Sequence, residues 1–181
     1  MPDKLFVVPY DPTWPDQFIA LAAPMRDVLG KTALRIDHIG STSVVGLAAK
    51  DIIDIQVSVA SLEPLDPIRV PLEGLGYIFR AYNDDLTKRY FREAPGKKRT
   101  HIHVRKMGSW AQQFALLFRD YIRAHPEDAD RYAQLKIKLA TELVDRRQDY
   151  VDAKGPFIWE IMQKASFWSQ TIGWETGPSD Y

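Results

Sequence analysis

The feature that most constrains this chain is a glycine- and serine-containing loop that leads into a strand carrying an acidic residue. Residues 33–39 alternate between apolar and polar side chains, which indicates a half-buried strand, and the alternation stops at Gly40-Ser41-Thr42-Ser43. Residues 51–59 are rich in β-branched side chains, as is typical of a central strand. We therefore expect a sheet in which two strands are joined by a polar loop.

Side chains alternate between the two faces of the strand predicted over 51–59. One face carries Asp54, Gln56 and Ser58; the other carries Asp51, Ile53, Ile55, Val57 and Val59. The apolar face should pack into the core, which leaves Asp54 facing a groove. A carboxylate among apolar residues is costly unless it pairs with a cation or a metal. Two interpretations stay open, namely that Asp54 caps a loop or pairs with an arginine, and that it is functional.

Periodicity predicts the remaining elements. Apolar residues at helical spacing predict helices over 13–29 and 63–75, and strand patterns fall at 5–10, 77–80, 88–93 and 100–106. From Ser109 to about Gln170 the pattern is helical, and residues after Trp168 are expected to be loosely ordered. The 181 residues are thus predicted to form one domain, with an α/β part at 1–107, a helical part at 108–170 and a tail at 171–181.

Composition excludes several classes of function. Lys and Arg number 24, as do Asp and Glu, so no overall charge attracts nucleic acid or membrane, and neither a basic tract nor an aromatic platform for nucleic acid is evident. The absence of cysteine excludes disulfides and thiolate metal sites. The apolar run Leu5–Val8 is too short for a signal peptide or a membrane span. We expect a cytoplasmic protein whose partner is a small molecule.

The loop after residue 39 has the composition of a phosphate-binding loop. Gly40 permits close approach of the backbone, and the hydroxyls of Ser41 and Thr42, with neighbouring amides, can bind phosphate oxygens. Lys50 is either a counter-charge for phosphate or a solvated loop lysine. Because most Gly-Ser pairs are simple turns, the loop gains meaning only together with Asp54.

Two histidines lie two residues apart in the strand predicted over 100–106. His101 and His103 therefore project from the same face, and they meet Asp54 if the two strands are neighbours. Such a group can hold a divalent metal, polarise a phosphate oxygen or move a proton. The alternative is that His101, near the end of the strand, is merely exposed.

The helical part offers three pairs of residues spaced by four, so that both members of a pair share a helix face. These pairs are Arg119 and Arg123, Tyr132 and Lys136, and Tyr150 and Lys154. If the three faces converge over the Gly-Ser loop, they form a cationic cleft on a neutral protein. The alternative is that these cations are solvated or pair with Asp120 or Asp149.

Taken in order along the chain, these motifs resemble the GrpB family. The resemblance rests on Pro9-Tyr-Asp-Pro-x-Trp14, on the segment from His38 to Ile55, on His101-Ile-His-Val, on Phe118-Arg-Asp-Tyr-Ile-Arg123, and on the Tyr132/Lys136 and Tyr150/Lys154 pairs. It covers residues from about Val7 to Ala165. It implies a nucleotidyltransferase-type α+β fold, with a small mixed sheet and about three C-terminal helices packed against it. A similar domain is found fused to dephospho-CoA kinase.

The resemblance also implies roles for individual residues. Gly40 and Ser41 match the phosphate-binding pair of the nucleotidyltransferase superfamily, Asp54 its first metal-binding acid, and His103 the position of its third. The second acid is replaced by Gln56, which is a neutral and weaker ligand. Asp54, Gln56 and His103, with His101 as a further candidate, are therefore expected to hold one divalent metal at most, either Mg²⁺ or Mn²⁺ or a softer transition metal.

Two functions follow from this set of residues. The first is an enzyme that transfers a nucleotidyl or phosphoryl group from a nucleoside triphosphate to a small acceptor, with Asp54 and His103 as catalytic residues. In it Gly40, Ser41 and Thr42 bind phosphate; the cations Lys50, Arg119, Arg123, Lys136 and Lys154, together with Tyr150, complete the ligand site. The second is a non-catalytic module that binds a nucleotide or a CoA-related ligand in the same cleft.

Overall fold

The structure, a computed structural model, describes residues 6–181. Its centre is a five-stranded sheet in the order β1-β2-β5-β4-β3. The strands are β1 (Arg35–Ile39), β2 (Ile53–Val59), β3 (Ile78–Phe79), β4 (Lys88–Arg92) and β5 (Thr100–Lys106). β2 and β5 are parallel, whereas the other neighbours are antiparallel. The expected small mixed sheet is confirmed.

Helices flank this sheet. They are α1 (Trp14–Leu29), α2 (Asp66–Gly74), α3 (Trp110–Ala124), α4 (Pro126–Glu142), α5 (Arg147–Ala153) and α6 (Gly155–Ile172). The C-terminal part thus holds four helices where about three were expected. The additional boundary falls at Gly155-Pro156, because a proline fits the first turn of a new helix but not the interior of a continuing one.

Strand β2 separates two environments, as its alternating pattern predicts. Ile53, Ile55 and Val57 are fully buried in a core that includes Trp14 and Phe18 of α1. On the opposite face, β2 meets α3: the Gln56 side-chain amide donates to the Gln112 carbonyl (3.1 Å), and the Gln112 amide donates to the Ser58 hydroxyl (3.3 Å). The polar face of β2 is therefore covered by a helix over part of its length.

A second core ties the polar loop to the helical part. Val44 and Leu47, in the connection between β1 and β2, are buried against Tyr121, Ile122 and Tyr132 of α3 and α4. Burying each of the Val44 and Leu47 side chains contributes about 1.5–3 kcal/mol to stability. The loop is consequently held between the sheet and the helices.

The strand predicted over 5–10 is wrong for the residues that the structure describes, and Leu5 lies outside them. Val8 forms a single antiparallel bridge with Ala49, whose two hydrogen bonds measure 2.8 and 3.0 Å. Pro9 cannot donate a ladder hydrogen bond, which limits further pairing. This bridge fixes the chain beside Ala49, next to Lys50.

The segment after Trp168 was predicted to be loosely ordered, and this prediction is wrong. Helix α6 continues to Ile172, and the residues beyond Gly173 run along the outer edge of β1. The Ser179 hydroxyl accepts from the Ile36 amide (2.8 Å), and the Asp180 carboxylate accepts from the His38 amide (2.9 Å). The amide of Tyr181 donates to the Ile36 carbonyl (3.1 Å). Side chains and backbone of this segment thus form hydrogen bonds with backbone groups on the outer edge of β1.

Among residues 6–181, no helix is both long enough and apolar enough to cross a lipid bilayer.

Asp180 is expected to be the main anchor of this segment. Its Oδ2 also accepts from the Arg119 guanidinium (2.7 Å), a side chain only 5% exposed. Replacing Asp180 with alanine should lower the free energy of unfolding by about 1–3 kcal/mol, the range for lost hydrogen bonds to charged groups. Urea denaturation measures the change. Glu175→Ala is the matched control, because Glu175 is exposed and makes no side-chain hydrogen bond within residues 6–181. Equal stability of the two variants would contradict the prediction.

Candidate functional site

The site begins with a close approach between Gly40 and Asp54. Gly40 has φ 71° and ψ −174°, a conformation that L side chains rarely adopt. A β-carbon at this position would lie 2.7 Å from Asp54 Oδ2. The antiparallel register, which places Ile39 opposite Asp54, brings the two residues together. Only glycine lets the loop leave β1 while the carboxylate stays in place.

The loop then forms a short 3₁₀ turn over Ser41–Ser43. The Ser43 hydroxyl donates to the Gly40 carbonyl (2.6 Å), and the Thr42 hydroxyl donates to the Ile52 carbonyl (3.2 Å). Both hydroxyls therefore serve the loop itself. Ser41 and Thr42 still line the cavity in front of Asp54.

Arg119 and Arg123 hold the loop from behind. Arg119 donates to the His38 carbonyl (3.2 Å), and Arg123 donates through Nε and Nη2 to the Ser43 carbonyl (3.0 and 2.9 Å). Neither side chain lines the cavity that contains Asp54. The structure thus does not bring these two predicted phosphate ligands to the acid, because the face of α3 that carries them points at the loop backbone.

Asp54 meets both histidines predicted to join it. The register of the parallel pair places His101 beside Asp54, and Asp54 Oδ1 lies 3.1 Å from His101 Nδ1 and 3.4 Å from His103 Nε2. One donor atom from each of the three side chains lies within 4.8 Å of the others. All three are partly buried, so the group is open on one side.

The histidines determine the charge of this group. Burial alone would raise the pKa of the Asp54 carboxyl, but the hydrogen bonds from His101 and His103 outweigh it, and the pKa lies below its usual value. Burial lowers the pKa of His103, against the opposing effect of Asp54. Because an ionised carboxylate only accepts, both rings donate to it. In neutral His101 the other nitrogen, Nε2, is then an acceptor that is buried without a partner.

Gln56 lies one step further along the same strand face. It is fully buried, with its amide nitrogen on the Gln112 carbonyl of α3. Its Oε1 is buried without a hydrogen-bond partner. Gln56 adjoins His103 in the register but adds no charge.

The cavity in front of Asp54, which we name the Asp54 cavity, has a volume of about 220 Å³. Its lining includes Ser41, Thr42, Lys50, Asp54, His101, Lys136, Arg147, Tyr150 and Lys154. We call Lys50, Lys136, Arg147 and Lys154 the cation cluster. None of the four forms an ion pair with a carboxylate within residues 6–181, and Asp54 is the one acid among the lining residues.

Two of these lysines share one aromatic ring. Lys50 Nζ lies 3.8 Å and Lys154 Nζ 4.7 Å from the centre of the Tyr150 ring, which is buried. Cation–π contacts of this kind contribute about 0.5–2 kcal/mol. Burial, and then the charge of Lys154, lower the pKa of Lys50 to about 8. Tyr150 therefore supports the lysines, and burial raises the pKa of its own hydroxyl to about 12.

Lys136 is the most enclosed member of the cation cluster, only 3% exposed. Its ammonium donates to the Ala48 carbonyl and lies 4.5 Å from the centre of the Tyr132 ring. Burial, followed by the charges of Lys154 and Lys50, lowers its pKa to about 7. A nearby anion would favour the protonated form of all these groups.

Arg147 belongs to this cluster although sequence reasoning missed it. It lies three residues before Tyr150 and seven before Lys154, which is the spacing of one helix face. Tyr90 of β4 was also missed; its ring centre lies 5.7 Å from that of His101 and 5.2 Å from that of His103. The alternation within 88–93 shows which strand face carries Tyr90. It indicates that Tyr90 lies near the histidines only if 88–93 is also known to pair with the strand that carries them.

The GrpB protein family model matches residues 4–164 of this chain. The chain belongs to the GrpB family. Its fold is similar to the crystal structure of the conserved protein GrpB from Enterococcus faecalis, with a TM-score of 0.82 and 34% identity over 90% of this chain and 99% of that one.

Curated relatives of this GrpB-family chain share about a third or more of its residues. UPF0157 protein YqkA of Bacillus subtilis is 34% identical over 92% of this chain, and UPF0157 protein PA4798 of Pseudomonas aeruginosa is 41% identical over 90%. Dephospho-CoA kinase of Mycobacterium tuberculosis is 35% identical over 93%. The match covers 49% of YqkA, 68% of PA4798 and 47% of the kinase, so the chain spans about half the length of two of these relatives.

The contact between Gly40 and Asp54 can be tested with two glycine variants. Gly40→Ala should destabilise the protein, because its new β-carbon meets Asp54 Oδ2 at 2.7 Å in addition to the strain at φ 71°. Gly46→Ala is the matched control, since Gly46 has φ 80° and open space around it. We expect Gly40→Ala to cost about 1–3 kcal/mol more than the control in urea denaturation. A loss of equal size in both variants would show that the Asp54 contact is unimportant.

Proposed function

We propose that this protein binds the phosphate groups of a nucleotide or a related phosphorylated ligand in the Asp54 cavity and transfers a nucleotidyl or phosphoryl group from it. The observation that carries the proposal is the cation cluster, which surrounds a single carboxylate without acidic partners among residues 6–181. Like charges held close together are unfavourable unless an anion joins them. The arrangement is therefore suited to an anionic ligand.

The volume of the cavity limits how much of the ligand it can enclose. About 220 Å³ is below the roughly 300–1,000 Å³ of sites that enclose a drug-sized molecule. A short phosphate chain fits such a space, and the sugar and base would lie at its mouth. Arg147, which is exposed, is placed to contact that outer part.

The Asp54, His101 and His103 group fits one divalent metal. One carboxylate and two imidazoles converge within 4.8 Å, and His101 Nε2 is buried without a partner, so its lone pair is available to a metal. Two imidazoles and one carboxylate favour transition metals over Mg²⁺. When bound, such a metal would neutralise phosphate charge and polarise the phosphorus centre.

The residues of the chain have separate tasks in a transfer reaction. The oxygen of an acceptor hydroxyl forms a bond to phosphorus, the bond from phosphorus to the departing phosphate oxygen breaks, and the hydroxyl proton passes to solvent. Asp54 and His103 orient the acceptor hydroxyl, whose proton can be donated in a hydrogen bond to the carboxylate oxygen of Asp54. Lys50, Lys136 and Lys154 neutralise the negative charge that develops on the departing phosphate.

A second candidate is a binding module without turnover, and Gln56 favours it. The residue next to His103 is neutral and is fixed by α3, so the site holds one carboxylate where two-metal transfer relies on several. Relatives of this chain include a dephospho-CoA kinase, so a CoA-related ligand belongs to this alternative.

Phosphate binding should depend on the cation cluster and on pH. Titration with ATP or with pyrophosphate, measured by calorimetry, should show weaker binding for Lys154→Gln and for Lys50→Gln. The affinity should fall as the pH rises from about 6 to about 9, because Lys136, with a pKa of about 7, and Lys50, at about 8, lose their protons. Lys138→Gln is the control, since Lys138 is exposed on α4 away from the cavity. Equal binding by all three variants would contradict the assigned site.

Turnover should depend on Asp54. With nucleoside triphosphates and either Mg²⁺ or Mn²⁺, the unaltered protein is expected to release pyrophosphate if it transfers a nucleotidyl group, or a nucleoside diphosphate if it transfers a phosphoryl group. Asp54→Asn should lower the rate of release at least about 100-fold, by analogy with removal of one group that stabilises a transition state. Asp51→Asn serves as the control; Asp51 accepts from the Trp14 indole (2.8 Å) and from Lys98, outside the cavity. Binding without release of either pyrophosphate or a nucleoside diphosphate would reject transfer and leave the binding module.

A further inference from the structure

A second and larger cavity lies on the other side of the loop between β1 and β2. We name it the His38 cavity; its volume is about 750 Å³. Residues 43–47 of the loop form one wall, α1 contributes Phe18 and Ile19, and α3 and α4 contribute Ile122 and Ala129. Most of this lining is hydrocarbon. Ser41 and Thr42, by contrast, line the Asp54 cavity, so one loop separates the two spaces.

His38 presents a hydrogen-bond acceptor to this cavity. Its ring is stacked on Phe18 at 4.8 Å, and its Nε2 lies 3.0 Å from the Thr42 hydroxyl. That hydroxyl gives its single proton to the Ile52 carbonyl, so it accepts the N–H of His38 Nε2. The other ring nitrogen, Nδ1, is then an unprotonated acceptor without a partner in the described chain. Burial, and then the charge of Arg123, lower the pKa of His38 to about 4 and keep the ring neutral.

Two carboxylates add further acceptors. Asp180 receives the His38 amide and Arg119 on Oδ2, which leaves its Oδ1 available. Asp130, on α4, lines the cavity and forms neither an ion pair nor a side-chain hydrogen bond in the part of the chain that the structure describes. Arg123, the one cation of the lining, directs Nε and Nη2 at the Ser43 carbonyl, and its Nη1 lies 3.9 Å from Asp120 Oδ1. Acceptors therefore outnumber the donors that a ligand could meet.

From this balance we infer that the His38 cavity binds a small, mainly apolar molecule that carries a primary ammonium group. The hydrocarbon walls accommodate the apolar body, and the ammonium donates to His38 Nδ1 and to the carboxylates of Asp180 and Asp130. A carboxylate of the same shape would face two acidic residues and an imidazole lone pair. A sugar would bury hydroxyl groups against hydrocarbon walls that offer them no hydrogen bonds.

The test uses two probes with the same phenyl and ethylene body, phenethylamine and hydrocinnamate, added to the isotope-labelled full chain. Amide resonances of residues 43–47 and 122–130 should shift with phenethylamine and not with hydrocinnamate. Asp130→Asn should weaken the binding of phenethylamine about threefold, the size expected for loss of one partly exposed ion pair. Asp145→Asn, which changes an exposed acid outside the cavity, should leave it unchanged.

A second variant reverses the charge preference without touching the core. Val45 is 79% exposed at the wall of the cavity, so Val45→Arg should fold normally and place a cation there. It should weaken phenethylamine and strengthen hydrocinnamate. The inference is overturned if neither probe shifts these resonances, if both do so equally, or if the two variants leave the preference unchanged. Binding of pyrophosphate at the Asp54 cavity is a separate measurement, so failure here does not bear on the proposed function.

Discussion

The carboxylate of Asp54 occupies the space that a side chain on residue 40 would need, and the rest of the site is arranged around that contact. Antiparallel pairing sets Ile39 opposite Asp54, and the chain can turn away from β1 at this point only because Gly40 has no β-carbon. Once the turn is made, Arg119 and Arg123 bind the carbonyls on either side of it, and Val44 and Leu47 fix it to the helices. Lys136 lines the same cavity as the acid because α4, which carries it, is held against the loop; Lys154 lines it from the junction between α5 and α6.

Concentrating four cations at one place on a neutral protein has an energetic cost, and the structure shows what offsets it. Tyr150 supports Lys50 and Lys154 through its ring, and Lys136 has both the Ala48 carbonyl and the Tyr132 ring. These contacts stabilise the ammonium groups without neutralising them, as an acidic partner would. The cavity therefore keeps positive charge for the proposed ligand, while the lowered pKa values of Lys50 and Lys136 reflect the burial, and then the repulsion, that these contacts do not offset.

Local patterns in the sequence were sufficient where a single strand or helix face decides the outcome. Alternation along β2 predicted its buried and polar faces, and the spacing of two placed His101 and His103 on one side of β5, where the structure joins them to Asp54. A spacing of four shows that Arg119 and Arg123 share a face, but it does not show that this face points at the loop backbone. The order of residues 173–181 was missed for a related reason: that segment has no periodicity, and its contacts are made by side chains on the edge of a distant strand.

The formal charges of the site indicate that ligand binding and group transfer would depend on different groups. The cation cluster contributes up to four positive charges and Asp54 one negative charge, an excess of three before any metal is present. A terminal phosphate carries about 1.5–2 negative charges, so two phosphates come close to balancing that excess on their own. A divalent ion at Asp54 would raise the excess to five. Under the proposed function, the cation cluster alone would balance a short phosphate chain, and a metal held by Asp54, His101 and His103 would act on the reacting phosphorus instead. Under the proposed function, substitutions in the cation cluster should therefore change the affinity for the ligand, whereas removal of a metal should change the rate of group transfer.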